Sequence, residues 1–194
     1  MALAFNLPIY LTFLRIALIP LLAVVFYLPW EYSNLACTLI FLLAGFTDWL
    51  DGYLARRMQL ETQFGAFLDP VADKLMVTVI LVMLVERIHS PYLAIPAAII
   101  IGREITIASL REWMAEIGKR AQVQVSVLGK WKTSAQMLAI GFFLYRDDLF
   151  GLPVLSLGYG LLYVAAILTL WSMIQYLQAA FTAINSTHKK PIID

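Results

Sequence analysis

An all-α integral membrane protein, with six transmembrane helices in one bundle, is the fold class this chain predicts, on three observations. Of its 194 residues, 61% are hydrophobic and only 14% are charged. The mean hydropathy is +0.80, a balance typical of chains that live in lipid. Apolar runs fall at about 8–28, 34–56, 64–86, 91–117, 129–146 and 153–182. Each is near or above the roughly 18–20 residues that cross a hydrocarbon core. No internal repeat, low-complexity tract or soluble linker interrupts the series, so residues 1–194 read as a single membrane-embedded domain.

The first run is preceded by Met1 to Phe5, which carry no basic residue, and it reads as a retained helix and not a cleaved signal. The second holds Cys37, the sole cysteine, which excludes an intramolecular disulfide and a thiol metal site and leaves core packing as its role. The second and third runs flank a turn at 57–63, edged by Arg56 and Arg57. Arg111, Lys119, Arg120, Lys130 and Lys132 surround the fourth-to-fifth connection, and Lys189 and Lys190 close the tail; only Arg87 and Arg146 fall on the other side. The excess of basic residues then places both termini and the 57–63 turn in the cytoplasm. Trp30, Thr47, Trp131 and Trp171 are interfacial or packing candidates. A net charge of +1 without any basic stripe excludes a nucleic-acid partner.

Against this apolar background stands one spacing, Asp48-x2-Asp51-Gly52-x2-Ala55-Arg56-x8-Gly65-x3-Asp69-x3-Asp73. Four carboxylates inside membrane helices would cost on the order of 10 kcal/mol without compensation. Cations must offset most of that, and two divalent ions with oxygen ligands would neutralise four carboxylates. Asp48 and Asp51 are three apart, and Asp69 and Asp73 four apart, so each pair shares a helix face. An antiparallel hairpin about the 57–63 turn has its mirror point near residue 60. That sets Asp48 level with Asp73, and Asp51 level with Asp69. Gly52, Gly65 and Ala55 permit close approach of a helix or a phosphate. Pro70 is expected to kink or begin the third helix near Asp69, which suits a site open to water. Channels, proton-coupled carriers and interhelical salt bridges also use intramembrane aspartates. Eight fixed positions, however, recur by chance about once in 10^9–10^10 starting points, so the pattern is specific.

The signature resembles that of the CDP-alcohol phosphatidyltransferase family, with no departure at any of its eight positions. Further runs are similar to the bacterial branch of that family whose acceptor is sn-glycerol 3-phosphate. They are Asn6-Leu7-Pro8 with Leu11-Thr12 and Arg15, Phe64 through Lys74, Arg103-Glu104-Ile105, Leu110-Arg111-Glu112-Trp113, Gly129-Lys130-Trp131-Lys132-Thr133 and Thr169-Leu170-Trp171-Ser172. The resemblance implies the CDP-alcohol phosphotransferase fold, a homodimer, and two Mg2+ or Mn2+ ions on Asp48, Asp51, Asp69 and Asp73. It implies transfer of the phosphatidyl group of CDP-diacylglycerol to sn-glycerol 3-phosphate with release of CMP, at the cytoplasmic face of the bacterial inner membrane. It assigns Asp48, Gly52, Ala55, Arg56, Gly65, Thr12 and Arg15 to the CDP donor. Within the family the acceptor could instead be a phospholipid, serine or an inositol phosphate. Outside it, a cation carrier would form no CMP and would spread its polar residues toward the far side of the membrane.

The residues suit such a transfer on chemical grounds. Metal-bound carboxylates can neutralise a diphosphate and its leaving group, and Asp73, furthest along the third helix, is the candidate base for the acceptor hydroxyl. His89 and His188 fall at a far-side turn and in the tail and read as surface residues. No Ser or Cys sits beside a positioned base, which favours direct transfer. The acceptor phosphate calls for cations: Arg103 and Arg111, two helical turns apart on one face, with Lys130 and Lys132 opening the fifth run. Glu104 is a candidate to orient Arg103, and Arg57 reads as a topology charge.

Overall fold

The computed structural model of the chain describes residues 7–58, 62–117, 127–148 and 151–188. Six helices follow one another: α1 Leu7–Tyr27, α2 Ser33–Met58, α3 Gln63–Ile88, α4 Pro91–Glu116, α5 Val127–Tyr145 and α6 Val154–His188. No strand occurs among the described residues. Each apolar run forms one helix, and α6 continues past the apolar stretch to His188. The topology charges Lys119, Arg120, Lys189 and Lys190 lie outside the described residues.

Among the described residues, four of these helices, α1, α2, α4 and α6, are long and apolar enough to cross a membrane. The expectation of six such spans is therefore met in helix number and not in hydrophobic length. Every 18-residue stretch of α3 includes at least three of Asp69, Asp73, Lys74, Glu86 and Arg87. The first half of α5 carries Lys130, Lys132, Thr133, Ser134 and Gln136. In α3 and α5 the polar residues, among them the candidate site residues Asp69, Asp73, Lys130 and Lys132, are numerous enough to break the apolar length. The outward faces remain greasy: Val24, Leu39, Ile105, Ile167 and Phe181 are each more than half exposed. On a water-soluble protein such a surface would be an aggregation liability, whereas lipid solvates it.

The chain divides into two compact units. The first comprises residues 1–89 and 140–158, and the second 90–139 and 159–194. Within the first unit α1 packs along α2 and, less extensively, along α3. Its buried residues Pro8, Ile9, Thr12, Arg15, Leu18, Ile19, Leu22 and Phe26 recur every three or four positions and so form one stripe. Two of them, Thr12 and Arg15, are polar. Cys37, Phe41 and Ala44 on α2 and Met76, Ile80, Leu81 and Leu84 on α3 are likewise buried. Cys37 is a packing residue, as expected. At the far end of α1 the Arg87 guanidinium donates to the Phe26 carbonyl and, at 3.3 Å, to Asn34 Oδ1. It also lies 3.4 Å from the centre of the Phe26 ring. A cation thus caps the C-terminus of α1, where carbonyls lack helical partners and the helix dipole is negative.

α3 starts beside the apolar run at 64–86, which leaves a kink and not a helix start as the role open to Pro70. The helix begins at Gln63, well before Pro70, and Pro70 lies inside it. Thr62 is the N-cap, its side chain accepting the Gly65 N–H at 3.0 Å, and this satisfies one of the donors a helix start leaves over. Pro70 has no N–H to give the carbonyl of Ala66, three residues before Asp69. At the other end His89 takes the left-handed conformation, with φ 48°, and its N–H returns to the Val85 carbonyl at 3.1 Å. Pro91 then starts α4, where its missing N–H costs nothing.

Within the second unit α4 carries the buried residues Leu93, Pro96, Ala97, Ile100, Ile107 and Met114. On α6, Leu162, Ala165, Ala166, Thr169, Ser172, Tyr176 and Ala180 are buried at helical spacing. Met114 and Ala180 pack together with Leu110.

Candidate active site

The aspartates of α2 and α3 converge on the polar part of the α1 stripe. Arg15, with 0% of its side chain exposed, donates from Nη1 to Asp48 Oδ1 at 2.9 Å and to Asp73 Oδ1 at 2.8 Å. Its Nη2 reaches Asp51 Oδ2 at 2.5 Å. One turn earlier on the same face, Thr12 Oγ1 lies 2.7 Å from Asp69 Oδ1 and 3.5 Å from Asp51 Oδ2. The single hydroxyl proton goes to the shorter contact, with the Pro8 carbonyl at 3.2 Å as the competing acceptor. Asp48 and Asp73 thus share one nitrogen, and Asp51 and Asp69 lie against one hydroxyl. That is the pairing of levels expected from a hairpin with its mirror point near residue 60.

The four carboxylates are not equivalent. The side chains of Asp48 and Asp73 are 45% and 48% exposed, whereas that of Asp51 is 4% exposed. Asp73 is furthest along α3 by sequence yet is open, because it sits at the rim of the Arg15 guanidinium. Asp51, on the other guanidinium nitrogen, is covered. Gly65, beside the cluster, is tightly placed: a Cβ there would stand 3.1 Å from Thr62 Oγ1. Gly52 and Ala55 are half-buried in α2. Arg56 and Lys130 belong to α2 and α5, but their side chains are outside the described residues.

Among the described residues Arg15 is the cation nearest these acids, where the sequence predicts compensation by metal ions and a donor role for Arg15. A charged residue within an otherwise apolar helical stripe was the signal for this buried role. One guanidinium does not balance the set: four carboxylates against one cation leave three negative charges over. No group of three or more acidic, His or Cys side chains is drawn together as a closed metal centre among the described residues. The donors are all carboxylate oxygens with a surplus of negative charge, and in that respect the residues fit a hard divalent cation.

In the second unit Arg103, Arg111 and Lys132, three of the four cations expected to meet a phosphate, are collected around one acid and one phenol. Glu104 Oε1 accepts from Arg103 Nη1 at 2.9 Å and from Lys132 Nζ at 2.8 Å. Arg103 Nη2 donates to Ser172 Oγ at 3.1 Å, and Arg111 Nη2 to the Tyr176 hydroxyl at 3.1 Å. The two guanidinium carbons stand 5.6 and 5.4 Å from the centre of the Tyr176 ring, which confirms that Arg103 and Arg111 share a face. Lys132 is buried while Arg111 is exposed. Glu104 is therefore an orienting group for two cations, one more than its sequence neighbour. Ser172 and Tyr176 escape sequence reading because α6, two helices later in the chain, supplies them. Trp131 and Trp171 are exposed and take no part. His89 is an exposed helix cap, and the His188 side chain lies outside the described residues.

A model of the CDP-alcohol phosphatidyltransferase family matches residues 5–171, a stretch that includes Thr12, Arg15, the four aspartates, Arg103, Glu104, Arg111 and Lys132. The chain belongs to this family. Members are generally dependent on divalent cations. The chain is 57% identical over 176 residues to a protein of Haemophilus influenzae, covering 91% of this chain and 94% of the relative. It is 56% identical to one of Sodalis glossinidius, covering 90% and 94%, and 55% identical to one of Pectobacterium atrosepticum, covering 91% and 95%. All three relatives bear the name CDP-diacylglycerol--glycerol-3-phosphate 3-phosphatidyltransferase.

Proposed function

We propose that this protein transfers the phosphatidyl group of CDP-diacylglycerol to sn-glycerol 3-phosphate, giving phosphatidylglycerophosphate and CMP. The observation that carries the reading is the meeting of all four signature aspartates on one face of α1, with two of them open. Relatives at 53–57% identity over nine-tenths of the chain, all bearing one name, support the choice of donor and acceptor.

Asp48, Asp51, Asp69 and Asp73 would hold two divalent cations, Mg2+ or Mn2+. Such ions, when bound, neutralise a diphosphate and stabilise a leaving phosphate. Asp48, Gly52, Ala55, Arg56 and Gly65 form the donor side, where small residues leave the backbone open to a phosphate. The open carboxylate of Asp73 takes the proton of the acceptor hydroxyl as its oxygen bonds to phosphorus; the bond from phosphorus to CMP breaks and CMP leaves as the anion. Arg103, Arg111, Lys130 and Lys132 bind the phosphate of the acceptor. Guanidinium forks can anchor it, and the lysines add point charge. Transfer is direct, with the acceptor hydroxyl as the nucleophile; Thr12, whose hydroxyl lies 2.7 Å from Asp69, is buried.

The chain acts as a single catalytic domain, a reading supported by a family match that runs through both compact units. Its basic residues favour a cytoplasmic site in the inner membrane, with α3 and α5 completing six spans. The family resemblance favours a homodimer. The test is incubation of purified protein with labelled CDP-diacylglycerol and glycerol 3-phosphate, with Mg2+ or Mn2+, following CMP. Formation of CMP that depends on glycerol 3-phosphate supports the assignment. CMP formed only with serine, an inositol phosphate or a phospholipid would move it to another acceptor, and none with any alcohol would overturn it.

A further inference from the structure

Thr12 and Arg15 have no business in an apolar stripe unless something requires them there. Arg15 is a long cation with 0% exposure, and its Nε is buried with no hydrogen-bond partner. Burying such a group is costly unless its partners are fixed. The partners share a pattern: Arg15 engages a single oxygen of Asp48, of Asp51 and of Asp73, and Thr12 engages a single oxygen of Asp69. One turn of one helix therefore touches all four signature aspartates, which come from two other helices. A carboxylate pinned through one oxygen loses its rotational freedom and still has the other to offer.

We infer that Thr12 and Arg15 are positioning residues, which aim the four aspartates at divalent cations and do not themselves touch the CDP donor. The inference rests on the cation-binding reading given above and extends it to α1. Outer partners of metal-ligating groups orient them, and their loss typically weakens metal binding about 10- to 100-fold. Charge alone predicts the reverse. Removing a cation from the neighbourhood of a metal site relieves repulsion and should tighten binding. The two roles of Arg15 are thereby separable.

The experiment is Mn2+ binding to the full chain in detergent, without nucleotide or lipid substrate, measured by titration calorimetry. Each variant is first checked for monodisperse elution and unchanged helical content. Arg15→Lys keeps the charge and loses the planar fork; Thr12→Val keeps the shape and loses the hydroxyl. Both should bind Mn2+ about 10- to 100-fold more weakly than the parent. Arg15→Gln should also bind more weakly, despite its lost charge. Binding within about two-fold of the parent for Arg15→Lys and Thr12→Val, or tighter binding for Arg15→Gln, would overturn the inference while leaving the cation site intact. A parent that binds no Mn2+ would instead refute the cation reading beneath it. Should the Arg15 variants fail to fold, Thr12→Val alone decides, because it is nearly isosteric and faces Asp69 alone at hydrogen-bonding strength.

Discussion

Replacing Arg111 by Ala is expected to raise the KM for glycerol 3-phosphate by about 10- to 150-fold and to leave the KM for CDP-diacylglycerol within a few-fold of the parent. The size follows from the hydrogen bonds the guanidinium can make. Arg111 Nη2 is committed to the Tyr176 hydroxyl at 3.1 Å, and the side chain lies over that ring, with its carbon 5.4 Å from the centre. A guanidinium has five N–H donors, so a fork remains for a phosphate. A hydrogen bond to a charged group contributes roughly 1.5–3 kcal/mol, which gives the range above. Tyr176→Phe removes only the bond that orients the guanidinium. A neutral donor or acceptor is worth about 0.5–1.5 kcal/mol, or roughly a 2- to 12-fold rise in the same KM. The contact is made in ground and transition states alike, so kcat should change little in either variant. Both KM values are measured in mixed micelles with the other substrate saturating. An unchanged acceptor KM in Arg111→Ala would remove this residue from the phosphate pocket. An equal rise in both KM values, or the same loss with glycerol as acceptor, would show that it shapes the protein generally.

Asp73→Asn should lower kcat by about 10^2–10^4 and retain part of donor binding, as loss of a general base does; turnover within a few-fold of the parent would reassign the base. Chelation should abolish CMP formation and Mg2+ or Mn2+ should restore it, whereas full activity with verified negligible metal would refute the cation reading. Arg87→Met should leave both KM values unchanged and lower thermal stability in detergent. It removes hydrogen bonds from a charged group to the end of α1 and to Asn34, each worth roughly 1.5–3 kcal/mol. An unaltered unfolding temperature would deny Arg87 its capping role.

Helix number and order were legible in the sequence because lipid leaves the backbone no choice but to bond within itself, and apolar length marks each helix. The acidic signature was legible too, since charge inside such helices is costly and its spacing is specific. The level pairing of Asp48 with Asp73 and of Asp51 with Asp69 followed from the helical repeat and the length of the turn. Other features depended on groups distant in the chain. That Arg15 lies among three aspartates, that Thr12 takes the fourth, and that Asp73 is open while Asp51 is covered are consequences of how α1 rotates against α2 and α3. The Tyr176 and Ser172 contacts with Arg111 and Arg103 cross more than sixty residues of sequence. Periodicity states which residues share a face of one helix. Which face meets which neighbour is settled by side-chain packing between helices, and it is there that a lone arginine in an apolar stripe acquires its partners.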